Sequence, residues 1–149
     1  MSSSPSKSQI EALRKYNACD IADALLKLKV PGAGFLPDVY LAPRPSSSLL
    51  PQIVIAPAST VLFVPKNSTD FSDYPKPNIP AGKHWVDLTV PETIVIISQP
   101  EGQKNAVLGG IMALRAQVLG AKGIIVSGRV RDVEELESTG LPVSTHSFV

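Results

Sequence analysis

The chain has 149 residues, of which 44% are apolar and 18% are charged, and its formal net charge is +1. This composition excludes a disordered chain, and the near balance of charge provides no bulk attraction to nucleic acid or to an anionic membrane. No stretch approaches the roughly 20 apolar residues of a membrane-spanning helix. We expect one domain at residues 9–149, preceded by a disordered serine-rich tail at residues 1–8, with neither nucleic acid nor membrane as a partner.

The cysteine content and the N-terminus indicate the compartment. Cys19 is the single cysteine, so no intrachain disulfide can form, as is usual in a reducing compartment. The first residues, "MSSSPSKS", lack the apolar region of a secretory signal. A cytoplasmic location is therefore predicted. We interpret Cys19 as a small buried side chain rather than a nucleophile.

The first half of the chain predicts little regular structure. "SQIEALRKY" and "DIADALLKL" are typical of two short helices, and Ile21, Leu25 and Leu28 would share one apolar face of the second. Five prolines between Pro31 and Pro51 predict irregular structure. "QIVIAPASTVLFV" indicates one or two strands broken at Pro57, and the polar, proline-rich residues 65–85 indicate a surface loop or a lid.

From Thr93 onward the pattern becomes regular. "TIVIIS" and "GIIVSG" are typical of strands buried on both faces, and between them "GGIMALRAQVLG" predicts a helix on which Met112, Ala116 and Leu119 share a face. "DVEELESTG" predicts a short helix that ends at Gly140, and "LPVSTHSFV" is interpreted as the start of another strand. Two strands that flank a helix form a βαβ unit with parallel strands.

The topology of this unit predicts where chemistry would converge. The loops after two parallel strands lie on the same edge of the sheet, so the helix start at Gly110 should face Arg131 and Asp132. Glycines there would let a ligand approach the backbone, and the N–H groups of Gly110, Ile111 and Met112 would face an anion. The guanidinium of Arg131 matches a carboxylate, and Asp132 is a hard oxygen ligand for Mg²⁺ or Mn²⁺.

Ordinary structural explanations compete with this hypothesis. A glycine pair near a helix start also serves simple packing or turn geometry. An Arg-Asp pair at a strand end also forms surface ion pairs, and Asp132 could be only a helix cap. His84 and His146 show no metal-ligand spacing and are interpreted as ordinary loop or strand residues. The phosphate-loop, dinucleotide, nucleophile-elbow and zinc motifs are all absent from the sequence.

Four stretches of the sequence belong together as a set of motifs. Gly110 is followed after twenty residues by Arg131-Asp132, "CDIADAL" and "APASTV" lie earlier in the chain, and "GQKNAVLGGIMALRAQVLGAKGIIVSGRVRD" spans the predicted βαβ unit. Taken together they resemble the RraA-like family, which includes the class II 4-hydroxy-4-methyl-2-oxoglutarate aldolases: they are similar to its signature, its early helix, one of its strands and its core. The resemblance covers most of residues 10–145.

The resemblance implies a fold and an assembly. The family fold is α/β, an α/β/β swivelling domain with a βαβ core, which associates as homotrimers or as hexamers with active sites between subunits. Family members continue beyond the position of Val149, so the resemblance implies that this chain lacks the C-terminal strands. One carboxylate ligand of the metal, donated by the neighbouring subunit, belongs to that part of the family fold. A further acid often stands at the position of Gly110.

The resemblance also implies an activity. Family aldolases use a divalent metal, Mg²⁺ or Mn²⁺, to cleave 4-hydroxy-4-methyl-2-oxoglutarate into two pyruvates, and many decarboxylate oxaloacetate. Carried over by position, Arg131 would bind the carboxylate of the 2-oxo acid substrate and Asp132 would hold the metal. The amides of Ile111 and Met112 would hold the substrate carboxylate. The alternatives are a non-catalytic interaction protein that restrains an RNA-processing enzyme, or an inactive truncated homologue.

Overall fold

A computed structural model describes residues 5–42, 53–66 and 70–148 of the chain. Its first elements are two exposed helices, α1 at Lys7–Leu13 and α2 at Ala18–Lys27, neither of which contains a buried residue. Cys19 lies near the start of α2 and is exposed, so the expectation of a buried thiol is wrong. The cause is the position of α2, which packs mainly on the short 3-10 helix Pro31–Gly34 that follows it.

Helix α1 begins inside the tail predicted at residues 1–8. The side chain of Ser6 accepts a hydrogen bond from the backbone N–H of Gln9, and the side chain of Gln9 accepts one from the backbone N–H of Ser6. This reciprocal capping box satisfies N–H groups that a helix start otherwise leaves open, so α1 begins at Lys7. The end of the predicted 1–8 tail is therefore helical, and residues 1–4 of it lie outside the described residues.

The centre of the fold is a five-stranded sheet with the strand order β1-β5-β4-β3-β2. Strands β2 to β5 are parallel to their neighbours, and β1 pairs antiparallel with β5 at one edge. Helix α3 connects β3 to β4, and helix α4 connects β4 to β5. The bounds are β1 Tyr40–Leu41, β2 Ala58–Leu62, β3 Ile94–Ser98, α3 Gly110–Val118, β4 Gly123–Val130, α4 Val133–Thr139 and β5 Val143–Phe148.

The predicted βαβ unit is confirmed, and a second one follows it through α4 and β5. Of the one or two strands predicted around Pro57, one is present: β2 forms after the proline, and residues 53–57 contain no strand. A proline has no N–H to donate to a ladder, although the carbonyl oxygen of Pro57 does accept the N–H of Ile94 at 2.9 Å. Residues 43–51 and 67–69, which fall in predicted irregular segments, and Gln52, the first residue of the predicted strand stretch, lie outside the described residues.

The core lies between one face of the sheet and helices α3 and α4. Alternate strand residues such as Val95, Ile97 and Val126 are buried on that face, because successive side chains of a strand point to opposite sides. Ala113 and Ala116 of α3 are fully buried, and their small side chains allow the helix to approach the sheet closely. A 3-10 helix at Trp85–Leu88 adds the side chains of Trp85 and Val86 to the same core.

The prediction for the faces of α3 is confirmed, since Ala116 is buried and Met112 and Leu119 are half-buried. The predicted face of α2 is only partly formed. Ile21 and Leu25 are half-buried, but Leu28 is 74% exposed because it is the residue at which the helix ends. Among the described residues, no helix combines the length and the apolar character needed to cross a membrane.

Candidate functional site

The candidate site forms where the end of β4 meets the start of α3. The backbone N–H of Val107 donates to the carbonyl oxygen of Arg129 at 3.0 Å, and the N–H of Arg131 donates to that of Leu108 at 3.0 Å. Leu108 also bridges Val130 in parallel. These contacts extend the sheet edge beyond β3, so the residues just before α3 lie beside the residues just after β4.

The carboxylate of Asp132 connects the two segments. Its Oδ2 accepts the backbone N–H of Gly110 at a distance of 3.3 Å, and Nε of Arg131 lies 3.6 Å from the same oxygen. The prediction that Gly110, Arg131 and Asp132 share one sheet edge therefore agrees with the structure. The carboxylate sits at the positive end of the α3 dipole, where a negative charge is favourable.

The backbone of Asp132 has an uncommon conformation. Its φ is 59° and its ψ is 52°, in the left-handed region that side-chain-bearing residues rarely adopt, although aspartate and asparagine tolerate it better than most. Asp132 is the residue before α4, yet its side chain makes no hydrogen bond to that helix. The carboxylate instead caps α3, which differs from the ordinary cap of its own helix that the sequence also allowed.

The two glycines at the start of α3 are explained by packing rather than by access for a ligand. A Cβ at Gly110 would lie 2.4 Å from Cβ of Glu135, and a Cβ at Gly109 would lie 2.6 Å from Oδ2 of Asp132. Both distances are far below van der Waals contact. Of the two explanations that the sequence allowed for Gly110, ligand access and packing, the structure supports packing, because Glu135 of helix α4 occupies the space that a Cβ would take.

The surroundings of the site are open to solvent and of mixed charge. The side chains of Arg131 and Asp132 are 68% and 44% exposed. Ile111 is exposed and Met112 is half-buried, so both lie at the rim of the site. Of the three N–H groups predicted to face an anion, that of Gly110 already donates to Asp132. The N–H groups of Ile111 and Met112 do not share that partner. The Asp132 carboxylate would repel a second anion placed at this helix start unless a cation lay between them.

The site supplies only part of the ligand set that a divalent cation needs. Mg²⁺ is commonly held by one or two carboxylates together with several waters, and Asp132 supplies one such carboxylate at an exposed position. Within residues 5–42, 53–66 and 70–148, no group of three or more His, Cys, Asp or Glu could hold a metal ion. The described residues therefore supply one exposed carboxylate at this point, that of Asp132, and no closed set of metal ligands.

A second feature of the same sheet edge was missed by the sequence reasoning. A cleft of about 480 Å³, here called the sheet-edge cleft, is lined by residues 99–104, 127–129 and 146–147. These residues are at or just beyond the carboxyl ends of β3, β4 and β5, where ligands of parallel α/β sheets usually bind. His146 lines this cleft, whereas His84 caps the 3-10 helix that begins at Trp85. The rule that ligands bind at the carboxyl ends of parallel strands predicted the position of Arg131, and it also holds for these residues.

Solved structures with the same fold include two chains that are 19% identical to this one. The uncharacterized protein from Pseudomonas syringae pv. tomato aligns with a TM-score of 0.72 over 99% of this chain and 62% of its own. RraAS2 from Streptomyces coelicolor, described as an unusual member of the RNase ES inhibitor RraA protein family, aligns with a TM-score of 0.73 over 97% of this chain and 66% of its own. At this identity the likeness establishes the mixed α/β fold.

Sequence comparison extends over a similar part of the chain. Protein DlpA of Legionella pneumophila is 29% identical over 140 residues, which cover 90% of this chain and 20% of DlpA. The chain thus spans about a fifth of that relative and under two thirds of the two solved chains. The family described as "RraA-like: Aldolase/RraA" matches residues 18–149. On this match, together with the shared fold, the chain belongs to the RraA-like family.

Proposed function

We propose that this chain is a divalent-metal-dependent lyase that cleaves a small 2-oxo acid, 4-hydroxy-4-methyl-2-oxoglutarate, to two pyruvates, with oxaloacetate decarboxylation as a side activity. The observation that carries the proposal is the meeting of three groups at one point. The N–H of Gly110 and the guanidinium of Arg131 both lie beside Oδ2 of Asp132, at 3.3 and 3.6 Å. The start of helix α3, the positively charged guanidinium of Arg131 and the carboxylate of Asp132 therefore lie together at an exposed edge of the sheet.

Arg131 is proposed as the residue that binds the substrate carboxylate. Its planar guanidinium can donate two parallel hydrogen bonds to a carboxylate. The same positive charge would stabilise the oxyanion that develops as the carbon–carbon bond breaks. Its exposed fraction of 68% leaves it accessible from solvent, and its contact with Asp132 restrains its position.

Asp132 is proposed as the metal ligand, with Mg²⁺ or Mn²⁺ as the cofactor. A bound divalent cation would supply Lewis-acid polarisation of the 2-oxo group. Asp132 would hold that cation while remaining anchored to the N–H of Gly110. The amides of Ile111 and Met112 would then receive the substrate carboxylate, because the charge of Asp132 would be neutralised.

The test of this proposal is pyruvate release from the aldol substrate in the presence of Mg²⁺, with and without a chelator. We expect chelation to stop the reaction, and Arg131→Ala to lower kcat/KM at least about a hundredfold, since removing one group that stabilises a developing oxyanion costs about that much. Arg14→Ala is the matched control, because Arg14 is also an exposed arginine paired with an acid, Glu11. Equal rates for the two variants, or indifference to the chelator, would reject the proposal.

A second candidate function is a non-catalytic interaction protein, possible for a family that a solved relative's description connects with RNase inhibition. The observation that favours it is an apolar stripe on α3, where Ile111, Leu114 and Val118 are 79%, 51% and 71% exposed. Such a stripe marks a surface that another protein could cover. Calorimetry with oxalate tests the lyase against this function, because saturable binding only in the presence of Mg²⁺ supports the lyase, whereas its absence rejects the lyase and leaves the interaction protein and the inactive homologue.

The oligomeric state belongs to the same proposal. In a homotrimer or a homohexamer a further copy of the chain could cover the α3 stripe in place of a different protein, so the oligomeric state decides whether the stripe is open to such a partner. Sedimentation measures this directly, and cooperative thermal unfolding of the oligomer would exclude the remaining alternative, an inactive homologue that folds poorly. A monomer that lacks activity and unfolds without cooperativity would favour that alternative.

A further inference from the structure

We propose that the sheet-edge cleft is a second ligand site, which binds a small molecule through an oxyanion, either a phosphate or a carboxylate group. The cleft, about 480 Å³ in volume, shares none of its lining residues with the Gly110, Arg131 and Asp132 group. Its volume is in the range of small-molecule sites. The two sites share the sheet edge but depend on different side chains.

The cleft is shaped by an irregularity in β4. The pairing of β4 with β5 shifts register between Val126 and Arg129, which places a bulge at Ser127 and Gly128. Bulges of this kind often lie next to ligand sites, because they redirect side chains that a regular strand would point elsewhere. Arg129 thereby lines the cleft from the strand itself, and it is half-buried.

Gln99 holds this bulge in place. Its side-chain Oε1 accepts the backbone N–H of Arg129 at 2.9 Å, and its Nε2 donates to the carbonyl oxygen of Asn105 at 2.7 Å. A Cβ at Gly128 would lie 2.5 Å from the same Oε1, so only glycine fits opposite this side chain. On the other side, the hydroxyl of Thr145 donates to the carbonyl oxygen of Gly128 at 3.1 Å. The wall of the cleft is therefore held from two sides, by the residue that follows β3 and by a residue of β5.

The chemistry of the lining favours an anion. Three nitrogen-bearing side chains that can carry positive charge line the cleft from three separate segments, namely Lys104, Arg129 and His146, against one acid, Glu101. The hydroxyls of Ser127 and Ser147 add neutral hydrogen-bond donors. An oxyanion can accept hydrogen bonds from each of these kinds of group, and charge-assisted bonds are the stronger class.

The test is titration of the full chain, in the presence of a chelator, with inorganic phosphate in one arm and succinate in the other. Amide chemical shifts measured by NMR should move at residues 102, 128 and 147 in a saturable way. Binding of phosphate alone identifies a phosphate ligand, binding of succinate alone identifies a carboxylate ligand, and binding of both identifies an oxyanion site that accepts either. Saturation by neither compound at millimolar concentration would overturn the proposal.

Variants locate the binding. Lys104→Glu should weaken it about tenfold or more, because it replaces a charge-assisted donor with a repelling acid. Lys122→Glu is the control of equal charge change, since Lys122 lies just before β4, at the end of that strand away from the cleft, and pairs with Glu92. His146→Ala, at an exposed position, should also weaken binding. Equal weakening by Lys104→Glu and Lys122→Glu would overturn the proposal. Arg131→Ala should leave binding unchanged, which separates this site from the proposed lyase site.

Discussion

Gly110 shows which properties of a residue can be predicted from the sequence and which cannot. Its position at a helix start and its proximity to Arg131 and Asp132 followed from the pattern of strands and helices. The reason for the glycine did not follow, because the neighbour that excludes a side chain is Glu135 of α4, at 2.4 Å from the missing Cβ. A contact between two helices depends on how both pack on the sheet, which no local pattern encodes.

Gly110→Ala should therefore destabilise the fold. Overpacking against Glu135 costs about 1–3 kcal/mol, which exceeds the roughly 0.5–1 kcal/mol that alanine gains over glycine in a helix. Urea unfolding measures the difference, with Leu114→Ala as the control at a half-exposed position on the same helix. A Gly110→Ala protein as stable as the wild type would show that α4 moves aside without cost.

Two substitutions of Asp132 distinguish its contribution to stability from its contribution to activity. Asp132→Asn retains an oxygen that can accept the N–H of Gly110 and tolerates the left-handed backbone, so it should lose only the charge at the start of α3, which contributes about 0.3–1 kcal/mol. Asp132→Ala loses the cap and strains the backbone, and should cost about 2–3 kcal/mol. Both should lack Mg²⁺-dependent pyruvate release, because neither supplies a carboxylate.

Urea unfolding and the pyruvate assay measure these two effects on the same preparations. Equal stability of the two variants would contradict the role of Asp132 as the cap of α3. Retained Mg²⁺-dependent activity in Asp132→Asn would contradict its role as the metal ligand. Each outcome bears on one role alone, so the two can be judged independently.

At the scale of elements, the sequence predicts best where packing is dominated by the sheet. β3, α3 and β4 were predicted within a few residues, because an apolar run, a helical period and a second apolar run follow one another. β4 extends two residues further than predicted, to Val130, because the bulge and the pairing with Leu108 prolong it. The faces of α1 and α2 could not be predicted equally well, since neither helix contributes a buried residue.

The link between the 3-10 helix at Trp85–Leu88 and helix α3 has a pH dependence. The backbone N–H of His84 donates to Asp87, and this bond, followed by the contact with Arg115, lowers the pKa of the Asp87 carboxyl below its ordinary value of 3.8. A lowered pKa in the folded state means that the charged form stabilises the fold. That contribution is fully present above pH 3.8 and is lost as the pH falls toward the lower folded-state value.

Asp87→Asn should consequently weaken the acid dependence of the unfolding free energy between pH 3.8 and that lower value. Because the side chain is exposed, the change should be small, and unfolding curves at closely spaced pH values are the measurement. Asp23→Asn on α2 serves as the control for removal of an exposed acid. Identical pH profiles for wild type and Asp87→Asn would contradict a role for this carboxylate in acid unfolding.

For the whole molecule, the arrangement of parallel strands was the most informative prediction. It predicted the position of the candidate site at the carboxyl ends of the strands. The sheet-edge cleft lies at the same ends, and Lys104 and His146 line it together with residues of β4. The sequence did not reveal that cleft, because Lys104 and His146 are 42 residues apart and show no shared motif. The family and the fold agree with the resemblance, while the aldolase chemistry and the metal stay proposals.

The sheet order has a consequence for synthesis of the chain. Tyr40 of β1 pairs with Thr145 of β5, so the edge strand made first has as its partner the strand made last of the five. During translation, β2, β3 and β4 can pair as they leave the ribosome. β1 stays unpaired until β5 has been made, with its backbone hydrogen-bonding groups exposed to water or to a chaperone. Pausing near the codons for residues 143–148 would prolong that exposure, and mutations that slow closure of β5 should appear first as aggregation during expression.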